Sequence, residues 1–504
     1  MPLRNQPDTL QRASLVSIAR NFDSICYRVK NREEMCAMIY DESYLQEPGP
    51  FLHLPSAILN KLMEVLVSDF RCRRLKRTHF HALVQPHLEE FKMSSSDGES
   101  FNGLKVVLER CKRLRRVNVS YLRNVGPGAM MQLAASLTEV THLNLSMTQI
   151  IDQVLELVGR RCPHLRELDV SNTGITDSAL IRLSYDEKRK MPQCQKLEKV
   201  SVTGCTLSPT GPAYLLHYLP RLYHLDYEHM FQVFDVLRDW GVTKDNVTQC
   251  EPYPLRLLTS TSDHIDAASV DVAMTLCPYV LEVTLSNAII PNELLYQTMR
   301  LENLAHLRLT NCDDLTLSFH EGVLPVLTLR GHNLISLLLA NFTVVDLVAI
   351  ADCCPKLQNL AFSNITIYEE IMYPRDDLFT TLVNLEVWTT VTTDTCNSVI
   401  LRQLLGQCKG LQNLLVRGAD ALSDKLLHEL WRTNPMPRLS RLTLDSCNNV
   451  TTAALYHLLE EDNHLTLLRV WSCFFVTRQD YRDLSQYIKD HNFDLYLEWY
   501  CWDG

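Results

Sequence analysis

No stretch of this chain reaches the roughly 18–20 apolar residues that a membrane-crossing helix needs. Met1 is followed by Pro, Arg, Asn and Gln rather than by the apolar core of a secretory leader. The expected location is therefore the cytoplasm or the nucleus. Several catalytic signatures are also missing. There is no G-x-G-x-x-G, no Walker phosphate loop, no H-E-x-x-H and no G-x-S-x-G. Dinucleotide, nucleotide, zinc-protease and serine-hydrolase chemistry lose their usual local signals with them. Basic residues gather only briefly, at 71–76 and 112–116, in a chain of net charge -10. That balance argues against nucleic acid as the partner.

Cysteine is not scarce, but its usual metal-binding spacing is. None of the seventeen cysteines forms a C-x-x-C pair. Cys111, Cys162, Cys194, Cys277, Cys354 and Cys408 each precede a Leu or Val by three residues, and Cys205, Cys312, Cys447 and Cys473 sit at turns further along. Cysteines at equivalent places in successive segments read as small buried groups rather than ligands or nucleophiles. The expectation is no metal, no cofactor and no catalytic residue. The set Asp169, His164 and Ser171 is close in sequence, but it reads as solvated surface.

What recurs is the phrase Leu-x-x-Leu-x-Leu. It opens near 114, 140, 165, 197, 222, 280, 304, 334, 357, 382, 411, 439 and 465, with Leu255-Arg256-Leu257-Leu258 a weaker example. Counting the first Leu as position 1, a strand turns positions 4 and 6 inward and positions 3, 5 and 7 to solvent. Apolar residues at helical spacing follow, as in Ala179, Leu180 and Leu183, or Leu426, Leu427 and Leu430. Asp177 and Asp424 fall in the first turns of such helices, where they favour capping and the dipole. The reading is an α/β leucine-rich repeat solenoid: a horseshoe with a concave parallel sheet, convex helices and a small N-terminal helical module. An apolar share of 46% suits a folded chain, and one solenoid absorbs all 504 residues.

The rhythm sets the boundaries. Residues 9–91 form the N-terminal helical module, 104–493 the cysteine-containing repeats, and 494–504 a C-terminal cap built on the alternating aromatic run DLYLEWYCW. Residues 184–193 and 239–266 read as insertions, 315–329 as irregular without a helical pattern, and 92–103 as a linker. In the module, Leu10, Ser14, Leu15, Ile18, Phe22, Ile25 and Cys26 recur at helical spacing within 9–47, and a further helix opens at Pro55.

Position 7 carries the functional reading. It is small and polar early on, at Ser120, Ser146, Ser171 and Thr203, but becomes Trp388, Arg417, Asp445 and Trp471 near the end. Glu386 and Arg469 join from position 5. Tryptophan and arginine on one solvent face have the composition of a protein-binding hot spot. Tyr227, Glu228 and His229 form a weaker patch.

Two phrases in the module match a known pattern. Ser14-Leu15-Val16-Ser17-Ile18-Ala19-Arg20-Asn21-Phe22 resembles the elongin-C-binding box, with Ala19 at the Cys position and Phe22 closing one residue early. Leu54-Pro55-Ser56-Ala57-Ile58-Leu59-Asn60-Lys61-Leu62 fits the short cullin-2 box. Followed by leucine-rich repeats, they resemble the Zyg-11/Zer-1 family of cullin-2 ubiquitin ligase substrate receptors, without that family's armadillo-like region. The resemblance implies a non-catalytic substrate-recognition subunit. Leu15, Ile18 and Phe22 would contact elongin C (with elongin B), and Leu54, Pro55, Ile58 and Leu62 would contact cullin 2. The repeats would hold an unidentified substrate protein. Two alternatives stay open. One is an F-box-type receptor using Skp1 and cullin 1, and the other a repeat scaffold with no ligase role.

Overall fold

A computed structural model describes residues 2, 9–26, 49–68, 77–93, 100–241, 252–261, 265–288, 290–312, 317–369, 378–389, 398–460 and 463–501. It divides into two compact units, meeting in sequence near Leu257 and Leu258. Both are parallel-sheet repeat stacks of the leucine-rich type.

The first unit begins with helices α1 (Leu10–Arg20), α2 (Phe22–Cys26), α3 (Ser56–Ser68) and α4 (Arg77–Leu83). Thr9 caps α1 by accepting the Arg12 amide at 3.2 Å. Helix α1 packs on α3 through Leu15 and Ala19, which are buried with Leu59, Leu62 and Leu66. Phe22 closes the pair, edge-on to Phe51 and His79 at 5.9 and 4.8 Å between ring centres. The expected helical pattern of 27–47 and the basic run 71–76 lie outside the described residues.

Six parallel strands follow among the described residues of this unit: β1 (Glu90–Lys92), β2 (Arg116–Asn118), β3 (His142–Asn144), β4 (Glu167–Asp169), β7 (Lys199–Ser201) and β8 (His224–Asp226), paired in that order. β1 pairs with β2 in the repeat register, Phe91 opposite Val117. The sheet thus starts one repeat before the first clear phrase, inside the segment read as helical module. Helix Ser100–Arg110 likewise starts within the expected linker, of which 94–99 lie outside the described residues. The insertion 184–193 is a two-stranded hairpin, β5 (Tyr185–Asp186) against β6 (Met191–Pro192).

The second unit's sheet has ten strands among its described residues: β9 (Leu257–Ser260), β10 (Glu282–Ala288), β11 (His306–Asn311), β12 (Ser336–Ala340), β14 (Asn359–Ser363), β16 (Asn384–Trp388), β17 (Asn413–Arg417), β18 (Arg441–Asp445), β19 (Leu467–Trp471) and β20 (Tyr496–Tyr500). A short side ladder joins β13 (Val344–Asp346) to β15 (Ile367–Glu369). The weak phrase at 255 is a repeat strand. The segment 315–329 is helical where described: a wide turn Phe319–Val323 runs into helix Leu324–Arg330. Pro325 stands in that helix's first turn, where its missing N–H costs nothing, so proline there opens a helix instead of breaking one.

The register is strict because the core demands it. Positions 4 and 6, such as Leu360 and Phe362, Leu385 and Val387, Leu414 and Val416, or Leu442 and Leu444, are buried and lie opposite one another across adjacent strands. A one-residue slip would move every one of them to solvent. Position 8 then turns the chain out of the strand in the left-handed region, at Tyr121, Met147, Asn172, Gly204, Asn341, Asn364, Gly418, Ser446 and Ser472. The helix-opening aspartates do more than serve their own helices. Asp152, Asp177 and Asp424 each accept both the N–H and the hydroxyl of the next repeat's Thr176, Ser208 or Thr451, with the O–H···O bonds at 2.6 Å.

The cysteines take the packing role. Cys111, Cys162 and Cys408 donate to the carbonyls of Gln85, Leu137 and Leu404 at 3.3, 3.0 and 3.1 Å. Burial raises their thiols well above the ordinary range, Cys111 and Cys408 to about 12. No helix among the described residues is long and apolar enough to cross a membrane, and none of their His, Cys, Asp and Glu residues form a metal-sized cluster.

Candidate protein-interaction surfaces

On the solvent face of the second sheet, position 7 forms one row, because each residue lies opposite its counterpart: Ser363, Trp388, Arg417, Asp445, Trp471, Tyr500. Adjacent strands are about 4.8 Å apart, so Trp388 and Trp471, three strands apart, bracket roughly 14 Å of surface. The Arg417 guanidinium lies 5.7 Å from the Trp388 ring centre, and its Nε is 3.4 Å from Asp445 Oδ2. Arg469 repeats the arrangement from position 5, 5.4 Å from the Trp471 ring centre and donating to Glu498 at 2.7 Å. Glu386 is exposed on β16. The six residues expected to form a binding patch are thus brought onto one face. Trp388 is 38% exposed and Trp471 half-buried.

Each arginine is stacked and ion-paired, so the face holds its planar groups in place before any partner arrives, which lowers the entropy cost of binding. Sequence reasoning missed Tyr500, which is 50% exposed and closes the row, and Phe474 and Phe475, exposed in the turn after β19. Tyr500 was readable as position 7 of the last alternating strand. The two phenylalanines follow no strand period and left no such signal.

The first sheet's solvent face is different. A shallow hollow of about 470 Å³ is lined by Arg116, His142, Glu167, Lys199 and Asp169 among others. Burial opposes ionisation of Glu167, but the Lys199 hydrogen bond and the nearby His142, Lys199 and Arg116 charges outweigh it and hold its pKa below the ordinary value. Asn118, Asn144 and Asp169 each accept the amide two residues on, of Ser120, Ser146 and Ser171. Asp169 accepts the Ser171 amide, the Ser171 hydroxyl meets that of Ser201 at 3.0 Å, and His164 meets Lys196 at 3.0 Å. Tyr227 is not a surface group. It is buried, with its hydroxyl donating to the Leu207 carbonyl at 3.2 Å.

The module departs from expectation at its key residue. Leu15, read as the partner-facing knob, is buried against α3, and Phe22 is buried with Phe51. Both hold the module together. Ile18 is half-buried. Among the described residues of the module the most exposed large apolar side chain is Leu10, 85% accessible in the first turn of α1, with Ile25 in α2 48% accessible. The elongin-C box runs small polar, Leu, three residues, Cys, three residues, apolar; opened at Thr9 and Leu10 it puts Ser14 at the Cys position, a departure like that of Ala19, and Ile18 in the closing position. In the second box Pro55 is exposed, Leu54 and Ile58 are half-buried, and Leu62 is fully buried in the module core, not available to a partner. Gln11 accepts from Lys61 at 3.2 Å, while Phe22 meets Phe51 at the other end, so α1 and α3 run in opposite directions. With Gln11 level with Lys61, Leu10 and Pro55 are offset by about seven residues, about 10 Å along the helix pair at 1.5 Å per residue.

A family profile described as a Leucine Rich repeat matches residues 161–184. The fold is a leucine-rich repeat. No curated protein matches the chain. Among solved structures it is similar to a complex of Rad7 and Elc1 in yeast (16% identity, 91% of this chain and 98% of that chain, TM-score 0.45). It is also similar to an internalin, InlF, from Listeria monocytogenes (16%, 77% and 88%, TM-score 0.34), and to TLR13 in complex with ssRNA13 (14%, 85% and 64%, TM-score 0.39).

Proposed function

We propose that this leucine-rich repeat protein is a non-catalytic receptor subunit of a cullin–RING ubiquitin ligase of the cytoplasm or nucleus, holding a target protein on the second sheet. The observation that carries the reading is the pairing of exposed Leu10 with exposed Pro55 on one helical module, two separate docking points ahead of a repeat surface. In this reading Leu10 enters the elongin C pocket, and Leu54, Pro55 and Ile58 face cullin 2. The row from Trp388 to Trp471, with Glu386 and Arg469, meets the target. Rigid aromatic and arginine anchors of this kind carry most of the energy in protein interfaces.

Affinity purification with quantitative mass spectrometry tests it. The intact chain should recover elongin C, elongin B and cullin 2. Leu10→Asp should remove all three, whereas Leu54→Ala with Pro55→Ala should remove cullin 2 alone. Replacing Trp388, Arg417 and Trp471 together by Ala should release the target and leave the ligase partners bound. Recovery of Skp1 and cullin 1 instead would favour the F-box alternative. Recovery of no ligase subunit by the folded chain would leave a plain interaction scaffold.

A further inference from the structure

The two sheets end differently. At the start of the first sheet, β1 lies under α3, whose Ser56 hydroxyl accepts the Glu89 amide at 3.3 Å, and the His87 ring meets the Leu54 carbonyl at 2.7 Å. At the end of the second sheet β20 is the last strand, and among the described residues none pairs with its far side. The direction of its backbone groups is fixed by two bonds. The Tyr496 amide donates to Thr466 at 2.9 Å, and the Tyr500 carbonyl accepts from Ser472 at 2.6 Å. Tyr496, Glu498 and Tyr500 therefore spend their backbone groups on β19, and those of Leu497 and Trp499 point away from it. On the solvent face, Tyr496 is 65% exposed, Tyr500 ends the aromatic row, and Glu498 lies between them.

We infer that β20 is a docking strand which takes up an extended segment of the captured protein, with a basic residue between two apolar ones at alternate positions. The inference rests on the repeat face being the protein-binding face, and it names what that face receives. Leu497 and Trp499 offer the added strand two N–H and two C=O groups. The incoming side chains opposite Tyr496 and Tyr500 continue the aromatic row, and the one opposite Glu498 meets a carboxylate that Arg469 holds from the β19 side by one oxygen, Oε2, at 2.7 Å, so that a basic residue on the far side would take the other oxygen. Charge selects this occupant over a second copy of the chain. A twofold pairing of β20 with itself that uses both Leu497 and Trp499 sets Glu498 directly opposite its own copy. That is the close, non-hydrogen-bonded position, about 4.5 Å between Cα atoms, where like charges destabilise. A Lys or Arg at that place converts the clash into an attraction.

Fluorescent nine-residue peptides with Val, Lys and Phe at alternate positions and Thr between them test this against the full-length protein. The Lys peptide should bind. Its Glu counterpart should bind at least tenfold more weakly, and the same peptide N-methylated at its two pairing residues should not bind. Tyr496→Lys with Tyr500→Lys should weaken binding at least tenfold, and Tyr500→Phe should keep it. Amide hydrogen exchange at Leu497 and Trp499 should slow at least tenfold when the Lys peptide is added. Absence of binding, equal binding of the N-methylated peptide, or unchanged exchange at those two amides would overturn the inference. The two readings fail separately. Edge binding in a protein that recovers no elongin C or cullin 2 removes the receptor reading alone. Recovery of both, with the target released by the Trp388 triple variant but indifferent to Tyr496→Lys with Tyr500→Lys, removes the docking strand alone.

Discussion

Gly418 follows β17 with φ +71°, and a methyl group added there would run into the Thr389 carbonyl of the preceding repeat. Two penalties combine. The left-handed backbone costs an L-residue about 1–2 kcal/mol, and the collision falls on backbone, which has little room to yield. Gly406 is the natural contrast. It lies in the helix Ser398–Gln407, and an added Cβ meets nothing within 4 Å. Gly418→Ala should lower unfolding stability by at least about 2 kcal/mol, and Gly406→Ala should raise it by about 0.5–1 kcal/mol. Urea titration of the two variants measures both. Equal effects would mean that the turn at 418 adapts. At this scale the sequence was legible wherever a residue type answers a backbone need. Asn, Gly and Ser dominate position 8, while Tyr121 and Met147 occupy the same conformation without announcing it. Leu15 and Leu10 illustrate the limit. Both are Leu within one amphipathic pattern, and only the packing of α1 on α3 decides which is buried.

Between elements, the aspartate opening one helix ties down the start of the next. Asp424 accepts the Thr451 amide at 2.7 Å and its hydroxyl at 2.6 Å, and Thr451 directly precedes the helix Thr452–Glu460. A hydrogen bond to a charged group contributes about 1.5–3 kcal/mol, so Asp424→Ala should cost about 2 kcal/mol. The loss should be local, because each repeat touches mainly its neighbours. Hydrogen exchange followed by mass spectrometry should show faster exchange in 452–460 and no change in 152–184. A uniform increase across both stretches would contradict nearest-neighbour coupling. Strand elements were readable where Leu, Val or Ile held positions 4 and 6. β1 escaped because Phe91 and Met93 hold those places just before a polar run. The helix at 324–330 escaped because 315–329 shows no clear apolar spacing at the helical period. The row from Ser363 to Tyr500 needed no structure beyond correct register, whereas Ser120, Ser146 and Ala340 hold the same position 7 and are buried, which the period alone does not announce.

Across the whole chain, the buried thiols form a distributed pH limit. Cys111, Cys194, Cys354 and Cys408 are raised by burial from an ordinary value of 9.0 to about 12, and Cys473 to about 11. Cys162, Cys277 and Cys447 are raised further by the same cause. A folded pKa above the unfolded one means that the native state keeps protons which the unfolded chain releases. The stability is therefore fully present below pH 9 and is lost as pH rises toward 12. Each thiol contributes a slope of about 1.4 kcal/mol per pH unit in that window. The residues are spread over both units, so neither is spared. One cysteine isolates the effect. Cys408 is fully buried and donates to the Leu404 carbonyl, so Cys408→Ala should cost about 1 kcal/mol at pH 8. At pH 10.5 the wild type has lost about half of the thiol's contribution and the variant has nothing to lose there. The difference between them should shift by about 2 kcal/mol in the variant's favour, making Cys408→Ala the more stable protein. Urea unfolding of both proteins at pH 8, 9 and 10.5 measures the crossing. If the gap stays constant with pH, the thiol at 408 ionises as readily in the folded chain as in the unfolded one, and its place in the core is wrong.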